Sequence, residues 1–195
     1  MNRGAATNFW NFIANFYARQ KVSDQEAYQY KLDATEKLLN KETVLLEFGC
    51  GTGSSSLYHA KKVGKIVAID ASQAMIKIAT EKMKNSNIAN VEFIVSDIES
   101  YQNPSIKFNV VLGLNVLHLI PNWEETILKI SSLMEPGGYF ISSTACTGEG
   151  SHILKALIPF GALGLLPKLQ FFTNSQLEQV IIKSGFKILK NIRVV

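Results

Sequence analysis

Residues 45–53 constrain the fold of this 195-residue chain more than any other stretch. They read Leu-Leu-Glu-Phe-Gly-Cys-Gly-Thr-Gly, an apolar run that ends on a carboxylate and is followed by three alternate glycines and then by serines. Glycine lets the main chain turn sharply and approach a ligand closely. The first N–H groups of a following helix have no partner within that helix. The stretch therefore predicts a strand–loop–helix unit whose loop holds a small molecule with a negative group.

Apolar runs alternate with amphipathic runs from residue 24 to the end of the chain. The apolar runs predict strands at 43–48, 65–70, 91–96, 108–114, 139–144 and 186–194. Capping residues and helical spacing predict helices at 24–40, 72–85, 122–134 and 173–185. Continuous rather than alternating hydrophobicity indicates strands that are buried on both faces. The predicted fold class is α/β, a Rossmann-like doubly wound sheet that is mostly parallel and flanked by helices.

The length indicates a single domain spanning 1–195. Within it the pattern separates an N-terminal helical cap (1–40), a ligand-binding core (41–144), an apolar lid-like insert (145–172) and a last helix and strand (173–195). A hydrophobic fraction of 47% and a charged fraction of 18% are typical of a globular protein rather than a disordered one.

Charge and cysteine content exclude several functional classes. The net charge of +4 is scattered along the chain, so we expect no nucleic-acid partner. The two cysteines lack CxxC spacing, so neither a metal site nor a disulfide framework is predicted, and a reducing, cytoplasmic setting fits. The first ten residues lack the apolar segment and cleavage site of a signal peptide.

Polar residues stand at the ends of four consecutive predicted strands. Glu47 and Asp70 lie at the ends of the first two, and Asp97 and Asn115 come directly after the third and fourth. Ligands of doubly wound sheets bind beyond the carboxyl ends of the strands, where strand order reverses. These four side chains are therefore the first candidates for a binding site.

The glycine loop matches neither of two common nucleotide-binding motifs. A mononucleotide P-loop requires Gly-Lys-Ser or Gly-Lys-Thr, whereas the only Gly-Lys here, at 64–65, is followed by Ile66. A dinucleotide fingerprint requires its third glycine at position 54, which is a serine. Glu47 would also face a pyrophosphate of like charge.

A ligand with an amino-acid end satisfies the same residues. Its carboxylate suits the helix N-terminus, and its ammonium suits the carboxylate of Glu47. A ribose would find Asp70 about 20 residues after the loop, and an adenine amine would find Asp97. S-adenosylmethionine combines all three parts.

Ordered motifs then resemble those of class I S-adenosylmethionine-dependent methyltransferases, in the small-molecule branch that includes the ubiquinone and menaquinone C-methyltransferases. The matching segments follow the family order over about 24–144; they are 47–53, 68–72, 96–98, 108–118 and 135–138. The single glycine motif is moderately specific, and the ordered set is strongly so.

The resemblance implies the role of each binding residue. The loop of Phe48, Gly49, Gly51 and Gly53 would approach the methionine part, with Glu47 organising the loop or the ammonium. Asp70 would hold the ribose, and Ala71 and Met75 would pack near the adenine. The base would lie between Asp97 and Ile98, and the sulfonium near Asn115 and Val116.

The chemistry requires few catalytic groups. Methyl transfer from a sulfonium is an in-line displacement that depends on alignment of the acceptor, and a base is required only when the acceptor must lose a proton. His118 is the best candidate base, with a packing role as the alternative. Tyr17, in a helix that the family folds over the cofactor, is the second candidate. His59 is predicted to lie on the surface.

The acceptor is less constrained than the donor. No Asn/Asp-Pro-Pro-Tyr sequence follows the fourth strand, so nucleic-acid bases and protein glutamine are disfavoured and a small-molecule acceptor is expected. Residues 153–167 are apolar and broken by proline and glycine, hence too short to span a bilayer. They suggest a lid, an apolar or lipid-like acceptor, or peripheral contact with a membrane.

The C-terminus departs from the family pattern. The family closes its sheet with a final antiparallel strand, which is predicted to be absent or truncated in this chain because it ends at Val195. The alternative function is therefore a non-catalytic S-adenosylmethionine-binding module or partner subunit. The sequence does not indicate an oligomeric state.

Overall fold

A computed structural model of the chain describes residues 3–20, 24–103, 105–144 and 168–192. Two helices precede the sheet, α1 (Arg3–Arg19) and α2 (Gln25–Glu36). Strands and helices then alternate as β1 (Val44–Phe48), α3 (Ser54–His59), β2 (Lys65–Asp70), α4 (Gln73–Lys84), β3 (Val91–Val95), β4 (Phe108–Leu114), α5 (Trp123–Leu133), β5 (Met134–Ser143) and α6 (Asn174–Lys183). A short 3-10 helix, Leu117–Leu119, follows β4.

The five described strands form one sheet in the order β3-β2-β1-β4-β5, and every pairing is parallel. β1 is central, with Leu46 opposite Val67 on one side and opposite Val111 on the other. The chain reverses its direction of winding between β1 and β4, the point at which such sheets bind ligands. The prediction of a doubly wound, mostly parallel sheet flanked by helices is confirmed.

Both faces of the central strands β1, β2 and β4 are buried, as the hydrophobic runs predicted, whereas β3 and β5 at the edges are partly exposed. Leu46, Val67 and Val111 pack on one face with Phe48 and Phe108, whereas the alternate residues Leu45, Ile66 and Leu112 pack on the other. A third cluster, which includes Trp123 and Phe172, joins α5 to α6. The side chains of these two residues approach to 4.4 Å between ring centroids.

The boundaries of two strands agree with the sequence prediction at both ends, namely 65–70 and 108–114. The fifth strand begins earlier than predicted, at Met134, because Met134 pairs with Phe108 before the ladder is interrupted and resumes at Tyr139 opposite Val110. The Pro-Gly-Gly segment between them forms the irregularity. Gly137 has a φ of +82° there, which a residue with a side chain adopts only with strain.

The predicted sixth strand, at 186–194, is wrong over its described part, since residues 186–192 form no strand. Phe186 packs its ring against Phe140 of β5, with 5.5 Å between centroids. Beyond it, side chains replace backbone pairing: Asn191 donates to Asn174 at the start of α6, and Lys190 Nζ donates to the hydroxyl of Tyr30 in α2. Apolar spacing alone did not distinguish this tethered segment from a strand.

The N-terminal helix α1 lies against the start of α4. Asn11 Oδ1 accepts from Ser72 Oγ at 2.7 Å and from the N–H of Ala74 at 3.1 Å, so one side chain serves the first turn of α4. This contact fixes α1 beside the carboxyl ends of the strands. The apolar stretch 153–167, with Cys146 and His152, lies outside the described residues. Among the described helices, none has the length and apolar character needed to cross a bilayer.

Candidate functional site

A cavity of about 910 Å³ opens at the carboxyl ends of the central strands. The four polar residues at or just past the ends of β1 to β4 all line it, namely Glu47, Asp70, Asp97 and Asn115. Helix α1 contributes part of the wall through Trp10 and Tyr17, and residues 168–170 contribute another part. The structure therefore brings together the strand-end residues singled out from the sequence.

Gly51 presents bare backbone to this cavity. Its φ is +53°, and a Cβ atom built on it would have no heavy atom within 4 Å. Its N–H donates to Asp70 Oδ2 at 2.8 Å, which ties the glycine loop to the end of β2. The space beside Gly51 is thus open to a ligand, and its backbone is held in place by a carboxylate.

The other two loop glycines are required by packing. A Cβ on Gly49 would stand 2.3 Å from Val116 Cγ2, and one on Gly53 would stand 2.6 Å from Phe93 Cζ and 2.8 Å from Ala79 Cβ. Gly49 lines the cavity, whereas Gly53 does not. The three glycines that the sequence grouped together therefore serve two purposes, close packing at 49 and 53 and open backbone at 51.

Glu47 is fully buried at the end of β1, and hydroxyl groups of α3 surround it. Ser55 Oγ donates to Oε1 at 2.5 Å, and Ser56 Oγ donates to Oε2. Burial raises the pKa of the Glu47 carboxyl to about 7, although both serine hydrogen bonds act in the opposite direction. Of the two roles suggested by the resemblance, this geometry favours organisation of the loop and helix over contact with a ligand ammonium.

Asp70 links the loop to the start of α4. While Oδ2 accepts from Gly51, Oδ1 accepts from the N–H of Ser72 at 2.8 Å. Burial raises the pKa of this carboxyl, and the two N–H donors partly offset that effect. Each oxygen retains acceptor capacity for a second donor, because a carboxylate offers about four lone-pair sites.

The base-binding residues implied by the resemblance line the same cavity as Asp70. Met75 and Ile98 are buried and line the cavity with the exposed Ala71. Asp97 Oδ1 accepts from the N–H of Ser100 at 2.6 Å, which fixes the turn after β3. An apolar slot beside a carboxylate is suited to a planar base with an exocyclic amine.

Asn115 has a left-handed backbone, with a φ of +54°, the only such non-glycine residue in the described ranges. Asparagine tolerates this conformation better than most residues, and strain of this kind often marks functional sites. Its Oδ1 accepts from Ser143 Oγ at 3.1 Å and from Lys31 Nζ at 3.4 Å. Val116 follows it and packs on Gly49, so the end of β4 and the glycine loop are fitted to each other.

Lys82 is a cavity residue that sequence reasoning missed. Its Nζ donates to Thr52 Oγ1 at 2.8 Å and to Ser54 Oγ at 3.1 Å, which places an ammonium against the glycine loop. Burial lowers its pKa. The loop and Lys82 are 30 residues apart in the chain, and no local pattern marks a helical lysine as a partner of a loop.

The two candidate bases lie in different surroundings. Tyr17 lines the cavity, with its ring edge-on to Trp10 at 6.0 Å between centroids. His118 does not line it: its Nδ1 lies 3.1 Å from Thr144 Oγ1, and its peptide oxygen accepts from the N–H of Gln170. Burial lowers the pKa of His118. Tyr28 is a further phenol in the cavity wall, and its pKa is raised by burial and by Glu47 and Tyr17.

The prediction that His59 lies on the surface is wrong. Its side chain is fully buried at the end of α3, and neither ring nitrogen has a hydrogen-bond partner. Its ring packs edge-on against Tyr58 at 5.2 Å between centroids. Burial lowers its pKa to about 4, because the charged imidazolium loses its hydration there. The six-residue helix α3 is too short for its amphipathic pattern to identify the buried face.

Glu47 and His59 make opposite contributions to the pH dependence of stability. Between pH 4.5 and 7 the unfolded chain ionises Glu47 while the folded chain resists ionisation, so this residue lowers stability as pH rises. Between pH 6.5 and 4 the unfolded chain protonates His59 while the folded chain resists protonation, so this residue lowers stability as pH falls. Each contribution amounts to about 3 kcal/mol over its full range.

Single variants should separate the two contributions. We expect the unfolding free energy of Glu47→Gln, relative to the native protein, to increase by about 3 kcal/mol from pH 4.5 to 7. We expect that of His59→Leu to increase by a similar amount from pH 6.5 down to 4. Urea unfolding at a series of pH values measures both. If the unfolding free energy of a variant changes with pH in the same way as that of the native protein, the substituted residue is not the source of the pH dependence.

Known proteins resemble this chain in sequence. The family model described as a methyltransferase domain matches residues 39–184. A ubiquinone biosynthesis O-methyltransferase of Rickettsia conorii is 28% identical over 153 residues, which cover 77% of this chain and 52% of that protein. A malonyl-[acyl-carrier protein] O-methyltransferase of a Paenibacillus species is 26% identical over 156 residues, which cover 76% and 56%. The chain thus spans about half the length of these curated relatives.

The fold is also found in solved structures. Phosphoethanolamine N-methyltransferase 2 of Haemonchus contortus, solved with S-adenosyl-L-methionine, superimposes with a TM-score of 0.70 and 20% identity. The match covers 82% of this chain and 37% of that protein.

In the part of the chain that the structure describes, no group of three histidine, cysteine or acidic residues is placed to hold a metal ion.

Proposed function

We propose, from the premise that this chain belongs to the methyltransferase-domain family matched over residues 39–184, that it transfers a methyl group from S-adenosylmethionine to a small molecule. The observation that carries the proposal is the cavity itself. The open backbone at Gly51, the carboxylates of Asp70 and Asp97, and the ammonium of Lys82 all line this one cavity. These groups match the methionine, ribose and adenine parts of one donor molecule.

The donor's amino-acid end is assigned to the glycine loop. Its carboxylate would meet Lys82 and the N-terminus of α3, where both the ammonium and the helix dipole favour a negative charge. Its ribose hydroxyls would donate to Asp70, and its adenine would enter the slot formed by Met75 and Ile98. The donor supplies an activated methyl group, and these residues orient it and exclude water.

The acceptor is proposed to be small and apolar. The curated relatives are named for methylation of oxygen, in ubiquinone biosynthesis and on malonyl-acyl-carrier protein, rather than of carbon. An oxygen acceptor loses a proton during transfer, so a base is required within reach of it. Tyr17 and His118 remain the candidate bases, and Tyr17 has the more direct access because it lines the cavity. The cytoplasmic setting inferred from the cysteines remains a prediction.

Two measurements test the proposed function. Calorimetry should detect binding of S-adenosylmethionine and none of NAD. Incubation with donor labelled in its methyl group and with fractionated cell extract should then label a small molecule that partitions into organic solvent. Donor binding without transfer to any fraction would favour the non-catalytic binding module.

Substitution of the base should abolish methyl transfer while donor binding is retained. Tyr17→Phe tests this role for Tyr17, and His118→Gln tests it for His118.

Lys82→Met should weaken donor binding at least about tenfold, because a charged hydrogen bond contributes about 1.5–3 kcal/mol. Methionine keeps most of the apolar stem, so the change is chiefly one of charge. Methylthioadenosine lacks the amino-acid part and is the matched control ligand. Its affinity should be unchanged by the substitution, as measured by calorimetry. An equal loss for both ligands would show that Lys82 does not contact the donor's carboxylate.

A further inference from the structure

Helix α1 carries an aromatic stripe that nothing in the described structure covers. The side chains of Phe12 and Phe16 are 88% and 66% exposed, and Phe12 is the most exposed large apolar side chain among the described residues. Residues four apart lie on the same face of a helix, and Arg19 continues that face one turn later. We name these three residues, Phe12, Phe16 and Arg19, the α1 stripe.

The opposite face of α1 already accounts for the attachment of the helix. Ala14 is buried, Asn11 accepts from two donors at the start of α4, and Trp10 and Tyr17 line the cavity. The phenylalanines of the α1 stripe contribute nothing to that attachment. Two adjacent exposed phenylalanines are an unfavourable surface in water, and such patches commonly mark interaction sites.

The charge around the α1 stripe identifies its partner. Residues 1–23 contain Arg3, Arg19 and Lys21 but no aspartate or glutamate, and the first acidic residue is Asp24. Within residues 1–23 the aromatic face is thus accompanied only by cationic charges in the sequence, a combination that is complementary to an anionic lipid surface. A second copy of the chain is a poorer partner, because it would bring two acid-free, basic helices together.

We propose that the α1 stripe docks the protein onto a bilayer surface that contains anionic phospholipid. Phe12 and Phe16 enter the boundary between headgroups and acyl chains, and Arg19 faces lipid phosphate. The inner face of the same helix lines the cavity, so docking sets the cavity beside the membrane. An apolar acceptor dissolved in the bilayer would then have a short path to it, a consequence that, unlike the docking itself, rests on the proposed function.

Sedimentation with vesicles tests this proposal. The native protein should sediment with vesicles of phosphatidylcholine and phosphatidylglycerol, and more weakly with phosphatidylcholine alone. The double variant Phe12→Ser/Phe16→Ser should bind at least about tenfold more weakly, because burial of each phenylalanine in part contributes about 1 kcal/mol or more. Arg19→Gln should lose about fivefold on the anionic vesicles and little on the neutral ones.

Controls keep the outcome specific to the α1 stripe. Leu128 on α5 is 61% exposed and outside the stripe, so Leu128→Ser should bind vesicles like the native protein. Donor binding by calorimetry should be retained in every variant, which verifies folding and separates this proposal from the proposed function. If the double variant were unstable, Phe12→Ser alone would serve, since its side chain makes the least contact.

Three results would overturn the proposal. One is failure of the native protein to sediment with the anionic vesicles. Another is vesicle binding by the double variant equal to that of the native protein, which would place the contact elsewhere. The third is a dimer in analytical ultracentrifugation that the double variant dissociates, which would show that a second copy covers the α1 stripe.

Discussion

Gly49→Ala is expected to destabilise the protein by about 3 kcal/mol or more, the largest stability effect of any single methyl group in the site. A side chain at a φ of +63° costs about 1–2 kcal/mol in backbone strain. The added Cβ would also stand 2.3 Å from Val116 Cγ2, and overpacking of this kind typically costs about 1–3 kcal/mol. Urea unfolding measures the sum.

Two further glycine variants separate strain from collision and from ligand contact. Gly137→Ala introduces the same kind of strain, with no atom within 4 Å of the new Cβ, and should cost only about 1–2 kcal/mol. Gly51→Ala should cost the same in the absence of ligand, yet abolish donor binding in calorimetry. Equal destabilisation by Gly49→Ala and Gly137→Ala would show that contact with Val116 is not the cause.

Rescue provides a second check on the collision. Val116→Ala removes the two γ-carbons that a Cβ at position 49 would meet at 2.3 and 3.3 Å. Combined with Gly49→Ala it should recover part of the lost stability, whereas independent sites would show additive losses. Val116→Ala also tests whether the end of β4 and the glycine loop are energetically coupled.

Asp70→Ala should weaken S-adenosylmethionine binding at least about 100-fold, the largest expected effect on the donor. The substitution removes the acceptors of two backbone N–H groups, at Gly51 and Ser72, and those proposed for the two ribose hydroxyls. Hydrogen bonds to a charged group contribute about 1.5–3 kcal/mol each. Calorimetry measures the loss, and Asp33→Ala on the exposed surface of α2 is the matched control.

A pair of nucleosides distinguishes the ribose role of Asp70 from its loop role. Native protein should prefer adenosine to 2′,3′-dideoxyadenosine, and Asp70→Ala should not discriminate between them. If the variant retains the native preference, Asp70 holds only the loop and the ribose has another partner. A preserved loop in that variant would be visible as unchanged exchange protection of the Cys50 and Gly53 amides, which donate to the backbone oxygens of Ile69 and Cys50.

The sequence predicted the sheet well because burial on both faces leaves a simple pattern. The runs 65–70 and 108–114 are mostly apolar and bounded by polar or turn-forming residues, so their ends could be predicted. The site at the strand ends followed from the parallel topology, which places the three carboxylates and the Asn115 amide at one edge of the sheet. The strand positions depend only on the local order of residues, and the position of the site depends on the rule that ligands bind at the carboxyl ends of parallel strands.

The missed features depend on contacts that are distant in sequence. Lys82 donates to Thr52, which lies 30 residues earlier in the chain, and a lysine at this position of a helix is equally compatible with a solvent-facing side chain. His59 is buried because of what packs over a helix of one and a half turns, where periodicity carries little information. Gly53 resembles its neighbours in the motif, yet glycine is required at this position because a Cβ atom would collide with Phe93 of β3. No spacing within the chain encodes these partners.

The central position of β1 also has a kinetic consequence. Leu45 pairs with Ile66 on one side but with Val110 on the other. The second edge of β1 can therefore pair only after a segment 65 residues later in the chain has been made. During synthesis, a nascent chain that has emerged only through β3 presents β1 as an open apolar edge, which is prone to intermolecular pairing. Parallel, non-local pairing of this kind folds slowly. The glycine loop acquires its contact with Val116 only when that edge is closed, so the binding cavity cannot be completed before β1 is protected on both sides.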